Sequence, residues 1–400
     1  MTPTPTGRVF LKPKRAQPFF GRHPWVFAGA IERIDGSPAD GAVVDVLSSA
    51  GNFVARGLFN SKSKIHVRLY SWDPEAPLDR DFFKARLQRA VALRHDVLHL
   101  NAGPEAAYRV AFSEADVLSG MVVDRYADYL TVQFTSLALG ERRQMIADIL
   151  AELLGPKGIY LRTEKGIGQL EGIELHDGLL AGEMPPTEVT IEENGLRFAV
   201  NLTEGQKTGY YLDQRDNRAA VARLAAGRRV LDAFSYTGGF GLYAAKGGAA
   251  SVECVDASEA ALKLAERNAV LNGLGQVTLT HADVFAYLDR QAAEGRKFDL
   301  LVLDPPKFAR NRAAVPKAMQ GYRKLHQQAL KLLDRDGVLV SCCCTGLISP
   351  EMLEELIAQV AIDSKRDLQI LERRGPSADH PVSVTCRESS YLKCVISRVW

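Results

Sequence analysis

Three patterns of apolar and polar positions follow one another along the chain. From about residue 6 to residue 73, short alternating segments at 41–47, 53–59 and 65–69 are divided by turn-forming clusters at 49–52 and 60–63. A period of two predicts strands, and this region is expected to be a small all-β unit, a partly closed barrel. Between residues 78 and 99, Phe82, Phe83, Leu87, Val91, Leu93, Val97 and Leu98 recur at helical spacing. A mixed α/β stretch follows to about residue 182, with strands expected at 121–125, 130–134 and 158–162 and a helix over 141–154. Met184-Pro185-Pro186 reads as a linker. Beyond residue 190 strands and helices alternate. Strands are expected at 229–234, 251–256, 276–281, 298–304 and 337–344, and helices at 239–247, 259–272, 284–294 and 318–333. The run Leu300–Leu303 is apolar throughout, as a strand buried on both faces requires. The chain is therefore expected to be α/β. Residues 1–75 form a β domain, 76–187 a linker helix with a small α+β middle domain, and 188–400 a doubly wound parallel sheet.

Composition sharpens this picture in two places. The 400 residues carry a net charge of only +2, but residues 8–72 hold ten Lys/Arg against four Asp/Glu, a local balance of +6. That asymmetry favours a polyanion-binding module over a merely solvated basic surface. Six cysteines in a chain this long are no disulfide framework, and no two are spaced as CxxC, which removes zinc-ribbon and thioredoxin readings. No apolar run approaches the ~18 residues of a membrane span, and the N-terminal stretch has no signal-peptide core. A cytoplasmic, reducing location is expected, with no membrane partner and no metal.

In a doubly wound sheet ligands bind beyond the carboxyl ends of the strands, so the residues just after each strand matter most. After the first strand comes a glycine-containing turn, Asp232-Ala233-Phe234-Ser235-Tyr236-Thr237-Gly238-Gly239, which is not the GxGxxG of a pyrophosphate site. Asp256, followed by Ala257, ends the second strand, 24 residues beyond Asp232, where a carboxylate accepts from ribose hydroxyls. Asp283, followed by Val284, ends the third, placed either to take an adenine amine or to cap the next helix. Three acids at three successive strand ends favour a ligand. The fourth strand ends in Asp304-Pro305-Pro306-Lys307-Phe308, whose prolines fix the backbone and hold the Asp in place. The fifth ends in Cys342-Cys343-Cys344. Strand alternation puts Cys342 and Cys344 on one side and Cys343 on the other, but only Cys344 stands at the carboxyl tip beside the pocket, which leaves its two neighbours as packing.

These residues resemble a known family. Arg22–Phe27 (RHPWVF), Lys207–Arg215 (KTGYYLDQR), Phe234–Phe240 (FSYTGGF), Asp304–Phe308 (DPPKF) and Ala378–Pro381 (ADHP) occur in family order from end to end. The chain is similar to bacterial 23S rRNA (cytosine-5)-methyltransferases with an N-terminal PUA domain, within the class I S-adenosylmethionine-dependent methyltransferases. The resemblance implies an RNA-binding PUA-like pseudobarrel and a methyltransferase sheet whose last strand runs antiparallel, with Ser389–Arg398 and Asp367–Arg373 supplying the final strands. It implies S-adenosylmethionine as cofactor, S-adenosylhomocysteine as product, and 23S rRNA as partner before or during large-subunit assembly. A homodimer stays open. Tyr210, Gln214, Asp256, Asp283 and the Ser235–Gly239 turn would line the cofactor site. The family motif Ser-Cys-Ser-Gly is replaced here by Cys343-Cys344-Thr345-Gly346, which keeps the nucleophile position at Cys344.

The chemistry implied is covalent catalysis. A Cys344 thiolate adds to cytosine C6 and makes C5 nucleophilic enough to take a methyl group. Asp304 would bind the N3/N4 edge, and Lys307 would contact phosphate or lower the thiol pKa. No cysteine follows the prolines, so the base that removes the C5 proton is unassigned, with His380 a candidate. The alternatives are a methyltransferase directed to a guanine nitrogen, which needs no thiol, and a catalytically silent RNA-binding assembly factor.

Overall fold

The computed structural model describes residues 5–100, 103–164, 166–204 and 209–400. They form two compact units, one within Met1–Ile191, Val200–Leu212 and Ala378–Ser389, the other comprising Glu192–Ala199, Asp213–Ser377 and Ser390–Trp400. No helix among the described residues is long and apolar enough to cross a membrane.

The first unit holds two sheets. One has six strands, ordered Trp25–Phe27, Ile65–Ser71, Phe53–Phe59, Val43–Leu47, Gly7–Leu11 and Ile31–Asp35. Only Gly7–Leu11 and Val43–Leu47 pair in parallel. The other has five strands, from Gly178–Gly182 at one edge to Ala107–Phe112 at the other. The two share a core in which Val43, Leu58 and Tyr70 pack with Phe83, Leu87, Val110 and Ile146. Polar groups close the same seam. Arg68 meets Glu171 at 3.0 Å and Ser119 at 3.3 Å, and the Tyr70 hydroxyl donates to the Ser119 carbonyl at 2.6 Å. Two of the ten basic residues behind the +6 balance are therefore internal, because Arg56 is likewise spent on Asp45. The other eight are exposed.

The helix expected over 78–99 is α-helical over Arg80–Ala92, where Asp79 caps it by accepting the Phe82 N–H at 3.0 Å. A π-helical turn, Leu93–Val97, follows. It seats the fully buried Arg94 against Asp116 at 2.7 Å and the Asp379 carbonyl at 2.7 Å. The change to i→i+5 bonding rotates later residues off the α-helical stripe, so Val97, placed by its spacing on the apolar face, is 65% exposed.

The second unit is built on seven strands: β1 (Arg229–Ala233), β2 (Ser251–Asp256), β3 (Val277–His281), β4 (Phe298–Leu303), β5 (Leu333–Cys343), β6 (Leu368–Arg374) and β7 (Lys393–Val399). Their order is β3-β2-β1-β4-β5-β7-β6, and β7 alone runs antiparallel to its neighbours. Helices α1 (Gly239–Lys246), α2 (Glu259–Leu271), α3 (Val284–Ala293), α4 (Val315–Leu332) and α5 (Pro350–Asp363) connect the strands. Leu300 to Leu303 of the central β4 are 0% exposed, divided between apolar clusters on the two faces. The strand order reverses between β1 and β4, and the carboxyl ends meeting there form the crevice in which such sheets bind ligands.

Candidate functional site

The turn from β1 into α1 is held in an unusual conformation. Phe234 and Tyr236 have φ values of 64° and 49°, and Gly238 has 83°. Positive φ in a bulky residue costs about 1–3 kcal/mol and persists only where surrounding bonds impose it. Those bonds are present. Tyr236 N–H donates to Asp256 Oδ2 at 2.8 Å, Ser235 N–H to the Val255 carbonyl at 3.1 Å, and Gly241 N–H to Asp232 Oδ2 at 2.7 Å. Asp232 is 1% exposed and lies beneath the turn as a brace, not on its open side. Burial pushes its carboxyl up to about 7, against the pull of the Gly241 N–H. Gly239 begins α1. Ser235 Oγ and Thr237 Oγ1 are buried with no hydrogen-bond partner among the described residues. Buried hydroxyls are rarely left unmade, so the turn presents two polar groups suited to a ligand.

The ends of β2 and β3 add to this rim. Asp256 accepts the Tyr236 and Ser258 N–H groups, one on each oxygen, which fixes its carboxylate while each oxygen keeps a lone pair. Ala257 beside it is exposed. Asp283 acts as the N-cap of α3, with Oδ1 accepting the Ala286 N–H at 3.0 Å, and Val284 is buried behind it. Of the two readings left open for Asp283, capping is the one its side chain makes in this structure.

At the end of β4, Asp304 Oδ2 accepts from Gln214 Nε2 at 3.1 Å, and Gln214 Oε1 accepts from Asn217 at 2.6 Å. The link from Gln214 to Asp304 was not visible in the sequence, because 90 residues separate them. Lys307 is exposed, which suits a contact with phosphate better than one with a thiol. At the tip of β5, Cys342 packs into the cluster with Val230 and Ile396, and Cys343 into the opposite one with Leu303 and Leu339. Cys344 is the only partly buried member of the run, with Sγ 3.9 Å from the Pro305 carbonyl oxygen. Cys344, just past the end of β5, thus stands beside the DPPK segment, while its two neighbours pack on opposite faces of the strand.

Two expected site residues fall in the first unit. Tyr210 is buried, with its N–H donating to the Tyr126 hydroxyl at 3.1 Å. His380 is buried against Phe112, its Nδ1 3.1 Å from Asp379 Oδ1. Lys207 and Thr208 of the KTGYYLDQR motif lie outside the described residues. His23, Cys386 and Glu388 bring metal-ligating atoms within 4.8 Å of one another. His23 Nδ1 already accepts the Trp25 N–H at 3.3 Å, so the ring proton sits on Nε2, 3.6 Å from Glu388, and the ring has no lone pair left for a cation. A residue that the sequence reading did not single out is Lys393, the first of β7. It is 5% exposed and donates to the Thr345 carbonyl at 2.7 Å.

Comparison with known proteins fits this geometry. Residues 177–384 match the family of S-adenosylmethionine-dependent methyltransferases, and residues 9–72 match a PUA-like domain. The chain is 42% identical over 395 residues to the ribosomal RNA large subunit methyltransferase I of Shewanella amazonensis, covering 98% of this chain and 99% of that one. It is 41% identical over 393 residues to the protein of the same name from Tolumonas auensis, with 98% of each chain covered. Its fold is similar to that of a Streptococcus mutans chain described as an S-adenosylmethionine-dependent methyltransferase (TM-score 0.85, 23% identity, 98% and 99% coverage). A methyltransferase solved with S-adenosylhomocysteine also has a TM-score of 0.85, at 24% identity with the same coverage.

Proposed function

Because the chain belongs to the ribosomal RNA large subunit methyltransferase I family of S-adenosylmethionine-dependent methyltransferases, we propose that it methylates carbon 5 of a cytosine in 23S rRNA through a covalent adduct on Cys344. The observation that carries this reading is the position of Cys344. It is the one partly accessible thiol of its run, beside Pro305 and at the end of the strand next to Asp304. A guanine nitrogen is already nucleophilic and needs no such thiol. Cytosine C5 is not, and does.

The strained turn fits the cofactor. Ser235 and Thr237 have unused buried hydroxyls for its polar amino-acid end, and Asp256 has an oriented carboxylate for ribose. When bound, S-adenosylmethionine supplies an electrophilic methyl group on a sulfonium. The chain's own residues do the rest. The Cys344 thiolate forms a bond to C6, the ring electrons gather at C5 and N3, and Asp304, held by Gln214, receives the N3/N4 edge. After methylation a base takes the C5 proton, the freed electron pair re-forms the C5–C6 double bond, and the C6–S bond breaks to restore the thiolate. Mapping the methyl group in rRNA from a strain lacking the protein, before and after complementation, tests this directly. A restored methyl on cytosine C5 is expected. A methyl on an exocyclic amine or on guanine N7 would refute it.

The same reading gives residues 1–75 the role of an RNA-binding module, 76–187 that of the middle segment and 188–400 that of the methyltransferase. It places the protein in the cytoplasm, acting before or during large-subunit assembly. Lys12, Lys14, Arg15 and Arg22 are exposed, so they are the residues to change. Deleting the module would instead open the core it shares with the following layer. Charge reversal at Lys12, Lys14 and Arg15 should weaken RNA binding. It should flatten the dependence of log K on log salt by about 0.7 for each single-strand phosphate that is no longer neutralised. Titration of RNA at several salt concentrations measures both. Calorimetry should show cofactor binding unchanged.

A further inference from the structure

A buried cation sits beside the thiol run. Lys393 lies directly across the β5–β7 ladder from Cys343. Its ammonium donates to the carbonyls of Thr345, the residue after Cys344, at 2.7 Å and of Tyr391 at 2.9 Å. Among the described residues the other buried lysine and arginine side chains each meet a carboxylate: Arg56 meets Asp45, Arg68 meets Glu114 and Glu171, Arg94 meets Asp116, Arg215 meets Asp216 and Arg218 meets Glu193. Among the described residues no carboxylate pairs with Lys393. A buried charge without a counter-charge costs several kcal/mol, and a fold that keeps one has a use for it.

We propose that Lys393 is a positioning residue that holds a fixed positive charge for the Cys344 thiolate, while its bond to the Thr345 carbonyl pins the strand tip that carries the thiol. The proposal rests on the reading of Cys344 as nucleophile. Burial lowers the ammonium below its ordinary lysine range, and the two adjacent thiols, both within its field, pull it back toward the charged form. Cys343 is fully buried among apolar side chains. Cys344 is partly accessible and is the one whose anion substrate can reach.

The surrounding groups set the balance. Tyr322 of α4 is a neutral phenol, because burial raises it far above its ordinary value. Tyr391 donates to Asp213, which occupies that carboxylate. Asp304 is engaged by Gln214, and the Pro305 carbonyl weakly favours the protonated thiol. Lys307, on the segment beside the thiol, is exposed, so among the described residues Lys393 is the buried cation at this strand tip. Upon deprotonation the thiol proton passes to solvent, and the thiolate supplies the charge that the ammonium lacks.

The test is the pH dependence of Cys344 alkylation by iodoacetamide, read by peptide mass mapping that separates the three neighbouring cysteines. In the unaltered protein the midpoint should lie below the ~8.5 of an ordinary thiol. In Lys393→Met it should rise by at least about one unit, kcat near pH 7 should fall at least about tenfold, and higher pH should restore much of it. Lys393→Arg, which keeps the charge, should retain a low midpoint. A midpoint at or above 8.5 in the unaltered protein overturns the proposal even if no variant folds. So does an unmoved midpoint in folded Lys393→Met. Failure of the nucleophile reading looks different: Cys344→Ala would keep its activity while the Lys393→Met shift in alkylation persisted.

Discussion

Replacing Cys344 with alanine is expected to abolish methyl transfer to undermethylated 23S rRNA, with a loss of at least about 10³-fold, or roughly 4 kcal/mol of transition-state stabilisation. Without the thiolate, C5 has no route to the electron density that a methyl acceptor needs. Binding should survive. The turn at 234–238 and the carboxylates at Asp256 and Asp304 are untouched, so calorimetry with S-adenosylmethionine should give an affinity close to that of the unaltered enzyme. The neighbours supply the control. Cys342 and Cys343 pack on opposite faces of β5, and alanine at either should leave activity within a few-fold while lowering stability modestly. RNA carrying 5-fluorocytosine at the target adds a direct readout, since fluorine at C5 cannot leave as a proton does. The unaltered enzyme should remain covalently attached to it, and the Cys344→Ala variant should not. Full activity in Cys344→Ala would sink the covalent mechanism.

The largest effect on stability is expected at Glu193. Its carboxylate accepts two bonds from Arg218 through Oε1, at 2.9 and 2.6 Å, a third through Oε2 at 2.8 Å, and one from the Tyr243 hydroxyl at 3.0 Å. The side chains of the ion pair are 3% and 1% exposed. Burial pushes the Glu193 carboxyl upward and the Arg218 charge pulls it back, so neither partner tolerates the loss of the other. Glu193→Ala removes the carboxylate that this buried guanidinium faces, at a cost of about 3–5 kcal/mol. For a unit of this size that corresponds to a fall in melting temperature on the order of 10 °C, measurable by calorimetry. The double variant Glu193→Leu/Arg218→Met, which removes both charges and keeps the volume, should recover most of the loss. If it melts as low as the single variant, packing and not charge dominates there.

Much of the methyltransferase sheet was legible because its strands are buried on both faces and its helices are amphipathic. The expected spans for β1, β2, β3 and β4 match the observed ones to within a residue. Helix α5 was not picked out, although Ser349 and Pro350 carry its start signal: the serine caps Met352 N–H at 3.2 Å and the proline opens the helix. In the first unit the short strands Gly7–Leu11 and Trp25–Phe27 escaped detection because three to five residues show too little alternation. At the candidate site, motifs directed attention to strand ends and to Cys344. They could not show that Asp232 is a brace, that Gln214 reaches Asp304, or that Lys393 stands opposite Cys343. Each of these is a contact that the fold makes and that the residues' own motifs do not reveal.

The insertion of β7 between β5 and β6 ties durability to activity. Among the described residues β6 pairs with no strand but β7, so if residues 393–399 peel away, β5 becomes an open edge and β6 loses its ladder partner. That single opening would carry Lys393 away from the thiol run and expose a ladder able to pair with another molecule. β7 is buried along almost its whole length, so this opening costs about as much as melting the sheet, and loss of turnover and the onset of aggregation on warming should coincide in one transition.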